Sequence, residues 1–355
     1  MKTSLTQLFL STLLMLISGA SLAQKVDLDK HRMELQVTQY PEVKLSDKYQ
    51  NFGATVSLQG ATGNYLDKGN LENQIRLSGF QRKSDSPDIH ISYTVQSMEI
   101  VESNVTESKE ERKDKAGNIT ILYSYSGRVT ARFKAFTVIK DNLADTIILK
   151  ETPREMTESP YLSKVFATRS EAEGHLRNNM DNIKTELLKR LVDRKISSIN
   201  SYLDQKYGYP LVSKAVYIQH LDSKKHPEYE KALENFKIIK ENLSMIKGNE
   251  PIPDQVKNNL LSTLDYYSQL TSKYNPTEKH EGRLVFMGYY NTASIYFILE
   301  DFDNMNKAIV EIAKDPKLKK EVKYFEEESQ KILKVFEREH TNSLHYINPR
   351  EVKGQ

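Results

Sequence analysis

The chain has 355 residues, with 51 Lys and Arg against 48 Asp and Glu and a formal net charge of +3. This near balance excludes the strongly basic surface typical of nucleic-acid-binding proteins, so no nucleic-acid partner is expected. Cysteine is absent, which excludes disulfide bonds and catalysis by a cysteine nucleophile. A chain of this length usually forms more than one hydrophobic core, and two domains are expected.

The first 23 residues have the pattern of a signal peptide. Lys2 precedes an apolar run at 8–17, and Ser21 and Ala23 supply the small side chains of a cleavage site. We expect residues 1–23 to be removed and the mature chain to be exported, with an uncleaved membrane anchor as the alternative. Gln24 stands where a bacterial lipoprotein needs cysteine, so no lipid anchor is expected, nor a membrane span after cleavage.

Residues 24–221 are predicted to form an α+β domain. Alternation of polar and apolar residues indicates strands at 32–37, 54–58 and 89–101, and again on both sides of a turn at 116–118. Between them, residues 107–115 are nearly all charged. This segment predicts an extended, solvated hairpin loop, with a recognition loop as the alternative.

A single long helix is predicted to follow those strands. Thr168 and Glu171 have capping-box spacing, and apolar residues then recur every three or four positions until Gly208 and Pro210 stop the helix. A stripe of this length must pack on another apolar surface, and the preceding antiparallel sheet is the nearest one. A last strand is expected at 211–218.

Residues 222–340 are predicted to form a separate all-α domain of helical hairpins. Proline and glycine punctuate five helical segments, which are joined by short connectors and should pack as antiparallel neighbours. These segments are 227–247, 254–274, 277–299, 303–314 and 317–339. The tail, 341–355, has no periodic pattern and is predicted to be flexible.

Part of the helical domain resembles tetratricopeptide repeats (TPR). Residues 290–296 with Glu300-Asp301-Phe302 are similar to a repeat's first helix and turn, with Ala293 where the family places a small residue. Glu300 departs from the family's turn glycine. Residues 229–232, with Phe236 and Ile239, resemble half of a second repeat. The resemblance implies a helical-hairpin stack that binds a protein or peptide.

The whole chain is also similar to uncharacterised exported proteins of Gram-negative bacteria, which combine a signal peptide, a β-rich half and a repeat-like helical tail. A smaller resemblance, to domains associated with the bacterial outer membrane, rests on Gly79-Phe80 followed by the strand that opens at Asp88. These resemblances carry no activity. They imply an exported protein that is periplasmic, or held at the outer membrane by a partner.

The sequence contains no standard catalytic, phosphate-binding or zinc-binding motif, and no cofactor is expected. The best metal candidate is His220, Asp222 and His226, three donors near one predicted loop. Spacing alone does not bring ligands to the ~2.2 Å that a metal requires, and both histidines also suit structural roles. No metal site is therefore predicted.

If the repeat resemblance holds, Met287, Tyr290, Ser294 and Phe297 line a binding groove, although their spacing also suits a buried helix face. The favoured interpretation is a non-catalytic protein of the cell envelope that binds a protein or peptide through its helical domain. Two alternatives remain: an enzyme acting on envelope polymers with carboxylates at the domain junction, and a glycan-binding accessory protein that uses exposed tyrosines.

Overall fold

The computed structural model describes residues 25–157 and 159–345. The predicted signal peptide and the last ten residues of the predicted flexible tail lie outside these ranges. The described chain divides into two compact units. We call residues 41–210 the sheet unit, and residues 25–40 together with 211–345 the helical unit. Sheet dominates the first half of the chain and helix the second, which agrees with the broad mixed fold class expected from sequence.

Strands β1 to β9 of the described residues are Leu28–Thr38, Asn51–Leu58, Gln81–Arg82, Ile89–Lys113, Ile119–Asp141, Thr146–Lys150, Arg154–Thr157, Tyr161–Phe166 and Leu211–Leu221. In the sheet unit their order is β3-β2-β4-β5-β6, and β7 and β8 also pair with β5. β5 therefore pairs with β4 along one edge and with β6, β7 and β8 at different positions along its other edge.

The sheet is mixed rather than purely antiparallel, which corrects the sequence prediction. β2 runs parallel to both β3 and β4, whereas β4 pairs antiparallel with β5. Parallel neighbours need a crossover connection of a dozen or more residues. The segment between β2 and β4 supplies one and contains helix α1, Lys68–Gln74, which begins after the N-cap Asp67.

A 38-residue helix, α2, Arg169–Lys206, belongs to the same unit. Thr168 and Glu171 form both hydrogen bonds of a capping box at its start. Its buried residues, among them Leu187 and Val192, lie in one hydrophobic core with residues of β2, β4 and β5. The buried residues of α2 recur mostly every three or four positions, as on one face of a helix.

The helical unit contains its own two-stranded sheet. β1 pairs antiparallel with β9 along its whole length, from Leu28 opposite Leu221 to Thr38 opposite Leu211. This arrangement differs from the predicted division at residue 221, which grouped both strands with the first domain. Alternation identifies a strand but not its partner, and here the partner lies beyond the entire sheet unit in sequence.

Helices α3 to α8 of this unit are Tyr229–Met245, Asp254–Ser262, Leu264–Lys273, Glu281–Ile298, Phe302–Ile312 and Lys319–Glu339. The single helix predicted over 254–274 is two helices that meet at the fully buried Thr263. The Thr263 hydroxyl donates to the carbonyl of Leu260 and so competes with the regular helical ladder at the junction.

The described start of the predicted flexible tail, 341–345, is held in place. The backbone N–H of Leu344 donates to the Glu300 carboxylate at 2.7 Å, and the Leu344 carbonyl accepts from the Thr38 N–H at 2.9 Å. Leu344 and His345 are both buried. A tail without periodicity is therefore fixed by individual hydrogen bonds, which leave no repeating pattern in the sequence.

Candidate interaction surface

The four residues predicted to line a binding groove lie in the interior of the helical unit. Met287, Tyr290, Ser294 and Phe297 all belong to α6, and each is at most 3% exposed. Eleven of the 18 residues of α6 are buried, on every side of the helix. A helix that is apolar all round is a core element, and α6 offers these four side chains no open groove.

The contacts of these residues explain their burial. The Ser294 hydroxyl donates to the backbone carbonyl of Tyr217 in β9 at 2.9 Å. The Tyr290 ring packs edge-on against Phe325 of α8, with centroids 5.2 Å apart. The ammonium of Lys30 lies 5.2 Å from the centroid of the same ring. The predicted anchors therefore join helices and sheet within their own unit.

The metal candidate is not assembled as a site. No group of three His, Cys, Asp or Glu side chains among the described residues is placed to hold a metal ion. His220 packs its ring against Phe236, with centroids 4.9 Å apart. His226 Nδ1 accepts a hydrogen bond from the backbone N–H of Glu228 at 3.1 Å. Each histidine thus has its own structural surroundings.

Two carboxylates of low exposure, Glu151 and Glu228, are each paired with a lysine. Lys195 contacts Glu151 at 2.5 Å, and Lys273 contacts Glu228 at 2.6 Å. Burial is the largest single influence and acts to raise the pKa of each carboxyl group. The hydrogen bonds and the charge of the lysine, together with hydrogen bonds from Thr137 to Glu151 and from Tyr274 to Glu228, outweigh burial, so both pKa values lie below the ordinary range. Ionised, paired carboxylates of this kind are poor general acids at neutral pH.

The most distinctive surface is a hairpin arm at the end of β4 and β5. We define the arm as residues 107–125, which run from the pair Glu107 and Tyr125 to the pair Lys113 and Ile119 at the tip. The charged segment predicted as an extended loop is thus strand as far as Lys113. A run of charged residues on both faces suits a strand whose two faces are both solvated, and an apolar face is not needed there.

The tip of the arm is a closed turn. The Asp114 carboxylate accepts hydrogen bonds from the N–H groups of Ala116 and Asn118, each at 2.9 Å, and from the Asn118 amide at 3.0 Å. Hydrogen bonds from Asn118 are the leading cause that lowers the pKa of Asp114. Gly117, at φ 93°, supplies the left-handed backbone that the turn requires. These bonds fix the register of the two strands that follow.

One face of the arm combines an apolar row with a charged row. Along β5, Ile119, Ile121 and Tyr123 share this face and are 61%, 42% and 52% exposed. Directly opposite them on β4 stand Lys113, Glu111 and Lys109. Large apolar side chains exposed in a row, in a chain with so many charged residues, are a typical feature of an interaction surface.

The outer edge of this apolar row is open. In the ranges that the structure describes, β8 pairs with β5 only from Tyr125 onward, and residues 119–124 pair with β4 alone. Unpaired N–H and C=O groups at such an edge are a template for another strand. Residues 118–127 contain no charged side chain and no proline, the two features that usually protect an edge.

The two strands of the arm therefore differ in how their outer edges are protected. On β4, Lys109 pairs with Glu111 at 3.1 Å and Arg112 with Glu110 at 2.9 Å, so this edge carries hydrated ion pairs. The part of β5 that belongs to the arm, 119–125, has no charged side chain with which to form such pairs. Geometry and chemistry together make the β5 edge of the arm able to accept an extended strand through backbone hydrogen bonds, with Ile and Tyr side chains adding specificity.

No protein family model matches the chain, and no curated protein matches it significantly. Within the described residues, no helix combines the length and the apolar character needed to cross a bilayer. Sequence reasoning singled out the charged segment 107–115 and did not single out the uncharged stretch that follows it. The available signal was the contrast between them: ten uncharged residues, rich in β-branched and aromatic types, beside a strand dense in charge.

Proposed function

We propose that this chain is an exported, non-catalytic protein of the cell envelope whose role is to bind a protein or peptide partner. The observation that carries the proposal is the open, uncharged edge of β5 at 119–124, with Ile119, Ile121 and Tyr123 exposed beside it. Binding by strand addition needs this combination of free backbone groups and apolar side chains. Export is proposed from the signal-like residues 1–23.

We propose that the helical unit is a scaffold and that it does not itself form the binding groove predicted from sequence. We propose that α6 and α7 form a degenerate TPR-like hairpin. Ala293 and Phe302, at positions where the family has a small and an aromatic residue, are buried. Glu300, in place of the family's turn glycine, adopts a left-handed φ of 60°. These features support a helical hairpin whose residues are used for packing.

The test compares two single substitutions on the same face of the arm. Ile121→Lys places a charge on the open β5 edge, whereas Glu111→Lys places the same side chain directly across the ladder, on β4. Mature protein with each change would be used as bait for envelope fractions, with captured proteins quantified against wild type. We expect Ile121→Lys to lose partners that Glu111→Lys retains.

Two results would contradict the proposal. Equal capture by wild type and both variants would place any binding away from the β5 edge. Hydrolysis of an envelope polymer by the wild-type chain would favour the enzymatic alternative. Ile121 is 42% exposed and is not a residue of the buried core, so its replacement leaves the hydrophobic core intact, and circular dichroism of both variants should match wild type.

A further inference from the structure

The β5 edge of the arm is complementary to itself. Residues 119, 121 and 123 share one face of the strand, and the sequence Ile-Thr-Ile-Leu-Tyr that contains them has no charge to repel a copy of itself. We infer that the strand bound at this edge is β5 of a second copy of this chain. This inference rests on the proposed function and specifies its partner. The two strands run antiparallel about a twofold axis at Ile121.

The register follows from the side chains. With Ile121 opposite Ile121 of the second copy, Ile119 faces Tyr123 of the second copy, and the twofold axis repeats that contact on the other side. Aromatic against β-branched residues are among the favourable cross-strand pairs. On the reverse face Thr120 meets Leu122 of the second copy. Every directly opposed pair in this register is uncharged.

The charges of the arm agree with this choice of strand. In the four-stranded ribbon that results, each β4 becomes an outer strand, and its row of Lys109, Glu111 and Lys113 stays in water. Pairing through β4 would instead bury the ion pairs that Lys109 and Arg112 make with glutamates of their own strand. Desolvating charges is costly, whereas joining two β5 edges satisfies backbone groups that are otherwise bonded to water.

The extent of the edge also predicts the kind of dimer. The described free edge is short, 119–124, and standard protein interfaces bury about 800 Å² on each partner. An arm-to-arm contact is smaller, so the association should be reversible and dependent on concentration. Size-exclusion chromatography with light scattering, on the mature full chain over a wide range of concentration, should show monomer converting to dimer.

The register can be tested with cysteine, because the native chain has none. Opposed residues of an antiparallel pair have Cα atoms about 4.5 to 5.5 Å apart, within the range that a disulfide bridges. Ile121→Cys should therefore form a disulfide-linked dimer on mild oxidation. Ile119→Cys alone and Tyr123→Cys alone should not, because each faces the other position. A mixture of these two proteins should yield the linked heterodimer.

Three outcomes would overturn the inference. They are a wild-type chain that stays monomeric at every concentration, an Ile121→Cys protein that does not cross-link, and equal cross-linking by all three cysteine variants, which would indicate unspecific collision. Failure here is separable from failure of the proposed function. A monomeric chain that captures another protein through Ile121, and loses it in Ile121→Lys but not in Glu111→Lys, would keep the function and reject the second copy.

Discussion

Gly127 of β5 lies directly against Leu176 of α2. A methyl group at Gly127 would stand 2.6 Å from Cδ2 and 2.7 Å from Cγ of Leu176, which is itself buried. The glycine lies next to the base of the arm, and its N–H donates to the Ser163 hydroxyl of β8 at 2.7 Å. The close approach of helix to strand therefore depends on the absence of a side chain.

We expect Gly127→Ala to destabilise the protein by about 1 to 3 kcal/mol, because the core must shift to admit the methyl group. Gly174→Ala is the matched control on α2, since a Cβ there meets nothing within 4 Å. This control should raise stability by about 0.5 to 1 kcal/mol, because alanine favours helix. Urea unfolding measures both, and changes of the same sign would contradict the prediction.

The ion pair between Lys195 and Glu151 should contribute measurably to stability. Their side chains are only 19% and 30% exposed, and Glu151 also accepts from the Thr137 N–H at 2.8 Å. Lys195→Met should cost about 1 to 3 kcal/mol, because it leaves the carboxylate without its charged donor. Lys257→Met, which removes a partner of the exposed Asp254, should cost no more than about 0.5 kcal/mol.

The same pair predicts a pH dependence. Folding lowers the pKa of Glu151 because the bonds from Lys195 and Thr137 outweigh burial. The unfolded chain thus binds this proton more tightly, and the contribution to stability is present above the ordinary carboxyl pKa and is lost as pH falls through the folded-state value. The difference in free energy of unfolding between wild type and Glu151→Gln should therefore be smaller in acid than at neutral pH. A difference that increases in acid would contradict this assignment.

His220 should make the helical unit sensitive to mild acid. Burial, and then the neighbouring His31, lower the pKa of His220, whereas Asp222 and Asp29 act weakly in the opposite direction. Because the folded state holds the proton less tightly than the unfolded chain, stability should fall as pH drops below the ordinary histidine pKa of about 6.5. His220→Phe should lose less stability between pH 7.5 and pH 5 than wild type, as judged from denaturation midpoints. Equal losses would exclude His220 as a source.

Lys30 is held in a cage of tyrosines and should stabilise the helical unit. Its ammonium contacts Glu321 at 2.5 Å and lies 4.9, 5.2 and 5.9 Å from the ring centroids of Tyr217, Tyr290 and Tyr324. Lys30→Met should lower stability by about 1 to 2 kcal/mol, because it removes cation–π contacts and an ion pair. Lys25→Met, which removes a largely exposed lysine, is the control. Thermal unfolding that shifts equally for both would contradict the role of the cage.

Local features of the fold were readable from the sequence. Thr168 and Glu171 predict the start of α2 because a capping box is a contact between residues three positions apart. Alternation likewise revealed β4 and β5. The pairing of strands distant in sequence could not be predicted. No feature of β1 identifies β9 as its partner, and no feature near β2 shows that β4 lies parallel to it. The sequence pattern gives each strand a buried face but does not assign its neighbour.

The candidate surface was harder to predict for a related reason. Apolar periodicity indicates burial, and Tyr290 and Phe297, which follow that periodicity, lie in the core and not in a groove. An interaction edge is defined by which backbone groups stay unpaired, and the edge beside Ile121 is open because, in the described fold, no strand pairs with the outer side of β5 at 119–124. That property belongs to the sheet topology and is not a property of the residue.

The pairing of β1 with β9 has a consequence for the order of folding. In a chain synthesised or translocated from its N-terminus, Leu28–Thr38 emerges first, yet its partner Leu211–Leu221 follows only after all of 41–210. The sheet unit is complete in sequence before β9 is made and can fold first, whereas the helical unit cannot complete its two-stranded sheet until β9 is present. We expect the pairing of β1 with β9 to be the late step in folding of the helical unit, because residues 41–210 separate the two strands along the chain.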